Sequence, residues 1–225
     1  MTIEKTPTAK EKLNLPTVHE RIYQNLKERI LFGGFLPGKA VTLRGLAEDL
    51  DVSAMPVREA VRRLIAEKAL EMHGNRRVSV PLMTQESYEE LSLSRRLLEP
   101  ELAVRAMKNL EKRDIEELAR IDGLIDNALL NGDVEGYMRG NHQFHFFIYS
   151  AAKSPIMLGL VESLWLQFGP FMRLVYGRYG TANLEDQHRQ AIDALRARDE
   201  QALRAAILAD IGQGMHFMSD AVHTR

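Results

Sequence analysis

Arg58 and Arg62 stand four residues apart, one helical turn, with Ala54 a further turn above them. Val57, Ala60, Val61 and Leu64 form a separate apolar stripe, so the segment reads as a helix that buries one face and offers its arginines on another. A guanidinium held that way can pair bidentately with the guanine edge in the major groove of DNA. A second pairing has different chemistry. Asn141 and His145 also stand at i, i+4, so both project from one helical face and could grip one metal ion. His142-x-x-His145 raises the alternative of a metal-dependent hydrolase built on the helices. The H-E-x-x-H arrangement of such enzymes is missing, as are a Gly-rich phosphate loop and a nucleophile elbow. The expectation is a binding protein rather than an enzyme.

The elements that must position these residues follow from capping and periodicity. A first helix is expected over 18–32, with Ile22, Leu26, Ile30 and Leu31 at helical spacing and Gly33-Gly34 as its stop. Thr42 is placed to cap a short helix over 43–50. Asp51-Val52 turn the chain, and Ser53 is placed to cap the next helix, which runs to about Lys68 with Pro56 in its first turn. Residues 69–72 and 76–80, joined by His73-Gly74-Asn75, read as a small hairpin that Pro81 closes. Two short helices, a tight turn and a basic hairpin make a winged helix-turn-helix pattern, which lays its second helix in the major groove. From Thr84 onward six helices are expected, over 86–108, 113–131, 134–152, 155–178, 184–197 and 200–219, with Asp133 and Asp199 as N-caps and Pro155 in a first turn. The fold class is therefore mainly α, an N-terminal winged helix-turn-helix followed by an all-α six-helix bundle. The expected division is a flexible arm over 1–16, a DNA-binding domain over 17–82 and a helical ligand-binding and dimerisation domain over 83–225.

Charge supports that division. Residues 17–82 carry a net +3 and residues 83–225 a net −5, so a polyanionic partner suits the front alone. The chain has no cysteine, which excludes disulfides and thiolate metal sites and leaves His, Asp, Glu and Asn as ligands. No apolar run approaches the roughly 18–20 residues of a membrane span, and the N-terminus has no signal-peptide core, so a soluble, cytoplasmic protein without a membrane partner is expected.

The stretch LRGLAEDLDVSAMPVREAVRRLIAEKALEMHGNRRVSVP resembles the GntR family of transcriptional regulators, whose pattern is a leucine-rich helix, then V-S-x-x-P-V-R-E-A-L-x-x-L, then a wing. The resemblance implies an operator-binding regulator, commonly a repressor. It implies DNA contacts for Arg44, for Ser53 as helix cap and phosphate or base contact, for Arg58, and for Gly74, Asn75 and Arg76 at the wing tip. Arg62, on the same face as Arg58, joins them, while Arg63 can instead pair with Glu59 or Glu67 at helical spacing. Relatives often carry Arg directly after the Ser. Ala54 stands there instead, followed by Met55, and Ala54 can pack on a thymine methyl, which implies a different operator.

The acidic half resembles the FCD ligand-binding domain of the FadR branch, and its six helices the VanR-type subgroup, through LSLSRRLLEPELAVRAM, NHQFHFFI and QHRQAIDALRARD. This implies a divalent metal (Zn, Ni or Mn) on Asn141, His145, His188 and Asp210, with Asp210 where relatives have His. It also implies a small effector, commonly a carboxylate, completing the metal's shell. Arg95 is expected either to pair with that carboxylate or to bridge to Glu99, and Phe144 and Arg173 are further pocket candidates, with Met138, Trp165 and Phe168 as weaker ones. A homodimer would present two recognition helices to a pseudo-palindromic operator.

Overall fold

In the computed structural model residues 17–179 and 186–223 are described, and the arm expected over 1–16 lies outside them. The chain begins with α1 (Val18–Leu31), whose first turn is capped by Thr17 accepting from the Glu20 amide at 3.2 Å. Ile22, Tyr23, Leu26, Ile30 and Leu31 bury one face of it, chiefly against α3 (Ala54–Ala66). Gly33 ends the helix with φ 78°, a left-handed conformation that glycine adopts without the steric cost of a Cβ.

Between them lie β1 (Val41–Thr42) and α2 (Leu43–Asp49), where Thr42 accepts from the Gly45 amide at 2.9 Å as its spacing predicted. After α3 come β2 (Glu71–His73), a helical turn over Gly74–Arg76 and β3 (Arg77–Ser79). The three strands pair antiparallel in the order β1-β3-β2, with Val41 and Met72 flanking Val78. The hairpin pattern placed Arg76 in the second strand and the family resemblance placed it at the wing tip; it belongs to the tip, where Asn75 and Arg76 take φ of 60° and 57°. The two-residue β1 went unread, because two residues carry no alternation.

The second half is α4 (Gln85–Met107), α5 (Lys112–Leu130), α6 (Val134–Ala151), α7 (Pro155–Tyr179), α8 (Gln187–Ala197) and α9 (Glu200–His223). These are the six expected helices, although the expected start of α8 at 184 lies outside the described residues. Asp133 caps α6 through the Gly136 amide at 2.9 Å, and Asp199 caps α9 through the Ala202 amide at 2.9 Å. α4 packs on α9, α6 and α7, α5 on α6 and α8, and α8 on α9. Their apolar faces enclose Leu102, Leu118, Ile121, Phe144, Ile148, Trp165 and Ile211, which are virtually inaccessible to solvent.

The winged unit rests on this bundle through α1 and α7. A Cβ added to Gly169 would lie 2.8 Å from the Leu31 carbonyl oxygen, so the two helices approach as closely as they do only because residue 169 is glycine. Lys27 bridges to Glu162 at 2.9 Å, Ser163 Oγ donates to the Glu67 carbonyl at 3.0 Å, and the Arg139 guanidinium lies 4.3 Å from the centre of the Phe32 ring. A single apolar cluster runs through both units. Movement in the bundle therefore has a packed route to the winged unit.

Candidate DNA-binding face and metal centre

The buried side of α3 is Pro56, Val57, Ala60, Val61 and Leu64, and this fixes which side chains face outward. Arg58 is exposed and has no hydrogen bond or ion pair among the described residues. Arg62 is also exposed but bridges to Glu59 at 2.9 Å. Arg44 on α2 stands out in solvent, paired with Glu48 at 2.8 Å. Exposed pairs of this kind contribute little to stability and yield readily to a phosphate. Arg63 turns the other way, as the sequence allowed. It pairs with Glu67 and with Glu20 of α1, and its guanidinium sits 3.5 Å from the centre of the Tyr23 ring.

Ser53 holds the N-cap backbone position of α3, but its hydroxyl makes no capping bond, contrary to the expectation that it caps the helix. That hydroxyl is left for another acceptor or donor. Ala54 is half-buried and Met55 is 65% exposed beside it, so the start of α3 offers apolar groups where an arginine was absent from the sequence. Gly74, Asn75 and Arg76 project at the wing tip, with nothing within 4 Å of a Cβ built on Gly74.

The bundle holds the second site. His145 from α6, His188 from α8 and Asp210 from α9 bring three donor atoms within 4.8 Å of one another. His145 Nε2 lies 3.1 Å from Asp210 Oδ2, and His188 Nε2 lies 3.7 Å from Asp210 Oδ1. Neither Nε2 has a properly directed hydrogen bond, although both are buried. Burial pushes the Asp210 carboxyl up, but the neighbouring imidazoles when protonated, His145 before His188, with Arg95 behind, hold it at about 2. Asp210 is thus an anion.

The tautomers follow from the outer partners. Asp122 Oδ1 sits 3.1 Å from His188 Nδ1, and a carboxylate accepts, so Nδ1 carries a proton and, in the neutral ring that a metal requires, Nε2 presents its lone pair. On the other side Tyr149 OH donates to Glu99 Oε2 at 2.8 Å, so its oxygen accepts from His145 Nδ1 at 3.1 Å. In its neutral form His145 likewise presents Nε2 as a lone pair. Two imidazole nitrogens and one carboxylate converge within 4.8 Å, and the two separations from Asp210 are close to the roughly 3–3.5 Å that metal–ligand bonds of about 2.0–2.2 Å impose. The donor set fits a divalent ion such as Zn, Ni or Mn.

Asn141 is buried one turn before His145 and lines the same cavity, its amide nitrogen 3.9 Å from Met172 Sδ. Phe144 is stacked on the His188 ring at 4.0 Å and so fixes a ligand's plane rather than facing the cavity. Arg95 is fully buried and bonded to Glu99 Oε1 at 2.7 Å, its guanidinium 3.9 Å from the Phe168 ring centre. Of its two expected roles the structure shows the bridge to Glu99. Arg173 is not brought to the site; it is exposed, with its aliphatic stem over Gly33 of the winged unit. His142 also stays out of the cluster. It stacks on Phe146 at 4.2 Å, and burial, with His145 next, pushes it down to about 4. The H-x-x-H pair therefore does not meet on one ion.

Comparison with known proteins matches both halves of the chain. Residues 18–80 match the family described as bacterial regulatory proteins, gntR family, and residues 90–213 match the FCD domain. The HTH-type transcriptional regulator McbR of Escherichia coli (strain K12) is 30% identical over 196 residues, 86% of this chain and 88% of that protein. The chain belongs to the GntR family, in its FCD-bearing branch. A solved structure of E. coli McbR/YncC superposes with a TM-score of 0.86 at 26% identity, covering 92% of this chain and 99% of that one. The galactonate operon transcriptional repressor of E. coli (strain K12) is 24% identical over 216 residues, covering 85% of this chain and 93% of that protein. The chain is thus a DNA-binding transcriptional regulator and not an enzyme.

For this GntR regulator the sequence missed Asp122 and Tyr149 around the histidines, and gave Glu99 only as a partner of Arg95. Part of the signal was present. Asn141, His145 and Tyr149 recur every four residues on α6, and Arg95 and Glu99 do so on α4. Nothing in the spacing could join Asp122 to His188, which are 66 residues apart.

Proposed function

We propose that the chain is a ligand-responsive regulator, acting as a repressor, whose residues 17–82 read an operator and whose residues 83–225 sense a metal-dependent effector. The observation that carries the DNA half is the unpaired Arg58 on the outer face of α3, the helix that also presents Ser53, Ala54 and Arg62, beside an exposed wing tip at Gly74, Asn75 and Arg76 in the same unit. Arg58 reads a base edge, and Arg44, Arg62 and Arg76 engage phosphates and fix register. The protein works as a homodimer, which places two such helices on two half-sites. The setting is the cytoplasm, where a bacterial regulator meets its operator, and among the described residues no helix is long and apolar enough to cross a membrane.

The observation that carries the sensing half is the pair of buried Nε2 lone pairs facing Asp210. His145, His188 and Asp210, with Asn141, would hold a divalent ion, which supplies a Lewis-acidic position where an effector atom can bind. Tyr149 and Asp122 hold the two rings in the ligating tautomer. The resemblance pointed to a carboxylate effector, with Arg95 as its partner. With Arg95 already bonded to Glu99, the effector's class depends on the cavity's own charge. The repressor sign is supported by the relative named for repressing the galactonate operon.

The DNA half is tested on an operator recovered by selection from random DNA. Affinity falls steeply with salt, because phosphate contacts release counterions. A dimer neutralising roughly six phosphates loses on the order of 10³ in affinity between about 50 and 200 mM salt. A flat salt response in fluorescence anisotropy would contradict the assigned phosphate contacts.

A further inference from the structure

The cavity over the metal centre is lined by Asp122, Asp126, Asp186 and Asp210, with His188, Asn141 and Tyr137 among their neighbours. Its volume is about 160 Å³, room for an ion and a ligand of a few heavy atoms. Among the described lining residues there is no Lys or Arg. Arg95 sits behind His145 with its charge matched by Glu99. The N-terminus of α8, which would otherwise favour an anion, is already met by Asp186 Oδ1, which accepts from the Arg189 amide at 2.8 Å. Burial raises the Asp126 carboxyl above the usual carboxylate range, and the charges of Asp122 and Asp186 raise it further, as crowded anions do. A divalent ion at Asp210 offsets two of the four charges and leaves the mouth negative.

We infer that the effector of this regulator carries an ammonium group, which docks at Asp126 and Asp186 while a neutral oxygen of the same molecule reaches the metal centre. This rests on the reading above that the bundle cavity is the effector site. The orphan Nε2 of His188, a buried residue of the lining, marks the cavity as a place where a ligand belongs. A second metal ion fits the mouth less well than an ammonium. Only His145, His188 and Asp210 bring three such donors within 4.8 Å among the described residues. Asp122 and Asp186 have each committed one oxygen, to His188 Nδ1 and to the Arg189 amide. The oxygens that remain do not gather in threes within 4.8 Å, so the mouth offers an ammonium charge and one or two acceptors at a time rather than offering an ion a coordination shell. A free carboxylate entering the same mouth would meet like charge on every side.

Ethanolamine and glycolate make a matched pair of probes, each a hydroxyl on a short stem with opposite terminal charge. Calorimetric titration of the full-length, metal-loaded protein should show ethanolamine binding at least tenfold tighter than glycolate. Asp126→Asn, which is nearly isosteric and ligates nothing in the triad, should remove at least tenfold of the ethanolamine affinity while elemental analysis finds the same metal content. Tighter binding of glycolate, equal binding, or binding of neither probe by a protein that retains its metal would overturn the ammonium assignment and leave the metal reading standing. A protein that takes up no metal would defeat the metal reading instead. The preference between the two probes, measured on that metal-free chain, would still decide this inference.

Discussion

Replacing Arg58 with alanine weakens operator binding roughly 10- to 100-fold, the equivalent of the ~1–3 kcal/mol that a bidentate arginine–guanine pair contributes. The expectation follows from contrast among neighbours. Arg44 and Arg62 already have carboxylate partners on their own helices, and Arg63 is folded back onto Tyr23 and Glu20, but Arg58 has nothing to give up. Its loss also leaves the folded state alone, since an exposed side chain without partners changes stability by no more than about 0.5 kcal/mol. The measurement is operator affinity by anisotropy alongside a thermal melt of the same variant. Unchanged affinity would remove Arg58 from the interface, and a lowered melting temperature would show that it has a structural role instead. The loss should also be uneven across operator variants, because a base contact is lost at one position only.

The second large effect is on metal content. His188→Ala should take a protein that holds about one divalent ion per subunit to one that retains almost none after dialysis. The imidazole is one of three convergent donors, and its Nε2 has no other directed partner. Asp122→Ala should act through His188 and lower metal affinity by roughly 10- to 100-fold, the usual cost of losing a carboxylate behind a ligating histidine. Because His188 also stacks on Phe144, the variant must be shown to fold, and Asp122→Ala gives a second route if it does not. In the wild type, metal at about a thousand times its Kd adds roughly 4 kcal/mol to stability, and that gain should vanish in His188→Ala. Equal metal by elemental analysis in wild type and His188→Ala would refute the centre.

Much of this was legible in the sequence because it depends on periodicity within single helices. The stripe of Val57, Ala60, Val61 and Leu64 decides that Arg58 faces solvent, and the i, i+4 spacing of Asn141 and His145 puts both on the buried face of α6. Caps at Thr42, Asp133 and Asp199 were readable for the same local reason. What failed depends on competition between partners. Ser53 sits where a cap belongs but makes no cap bond. Arg95 had two candidate anions, and the one built into its own helix, Glu99, is bonded to it. Arg173 was assigned to the bundle interior, but its helix carries it to the seam with Gly33. The wing's register shifted because Asn75 and Arg76 both take left-handed backbone, which no hairpin rule based on alternation predicts for an arginine. The acidic mouth was hidden for another reason. Asp122 and Asp126 share a face of α5, whereas Asp186 and Asp210 reach them from helices distant in sequence.

The seam between the winged unit and the bundle links the two sites. Trp165 of α7 lies 5.3 Å from His145 and 5.4 Å from His142, ring centre to ring centre, and His142 meets Phe32 at the end of α1 at 5.7 Å. A ligand can shift DNA binding only through a difference in its affinity for the DNA-competent and incompetent states, and by linkage DNA must then shift the affinity for the ligand equally. The most direct measurement is therefore operator affinity of the wild type, first stripped with a chelator and then loaded with a divalent ion, beside Asp210→Ala treated the same way. The two wild-type forms should differ at least fivefold, about 1 kcal/mol of coupling, and the Asp210→Ala forms should be indistinguishable. Equal operator affinity of stripped and loaded wild type, with metal shown to be bound, would contradict the claim that this centre governs DNA binding.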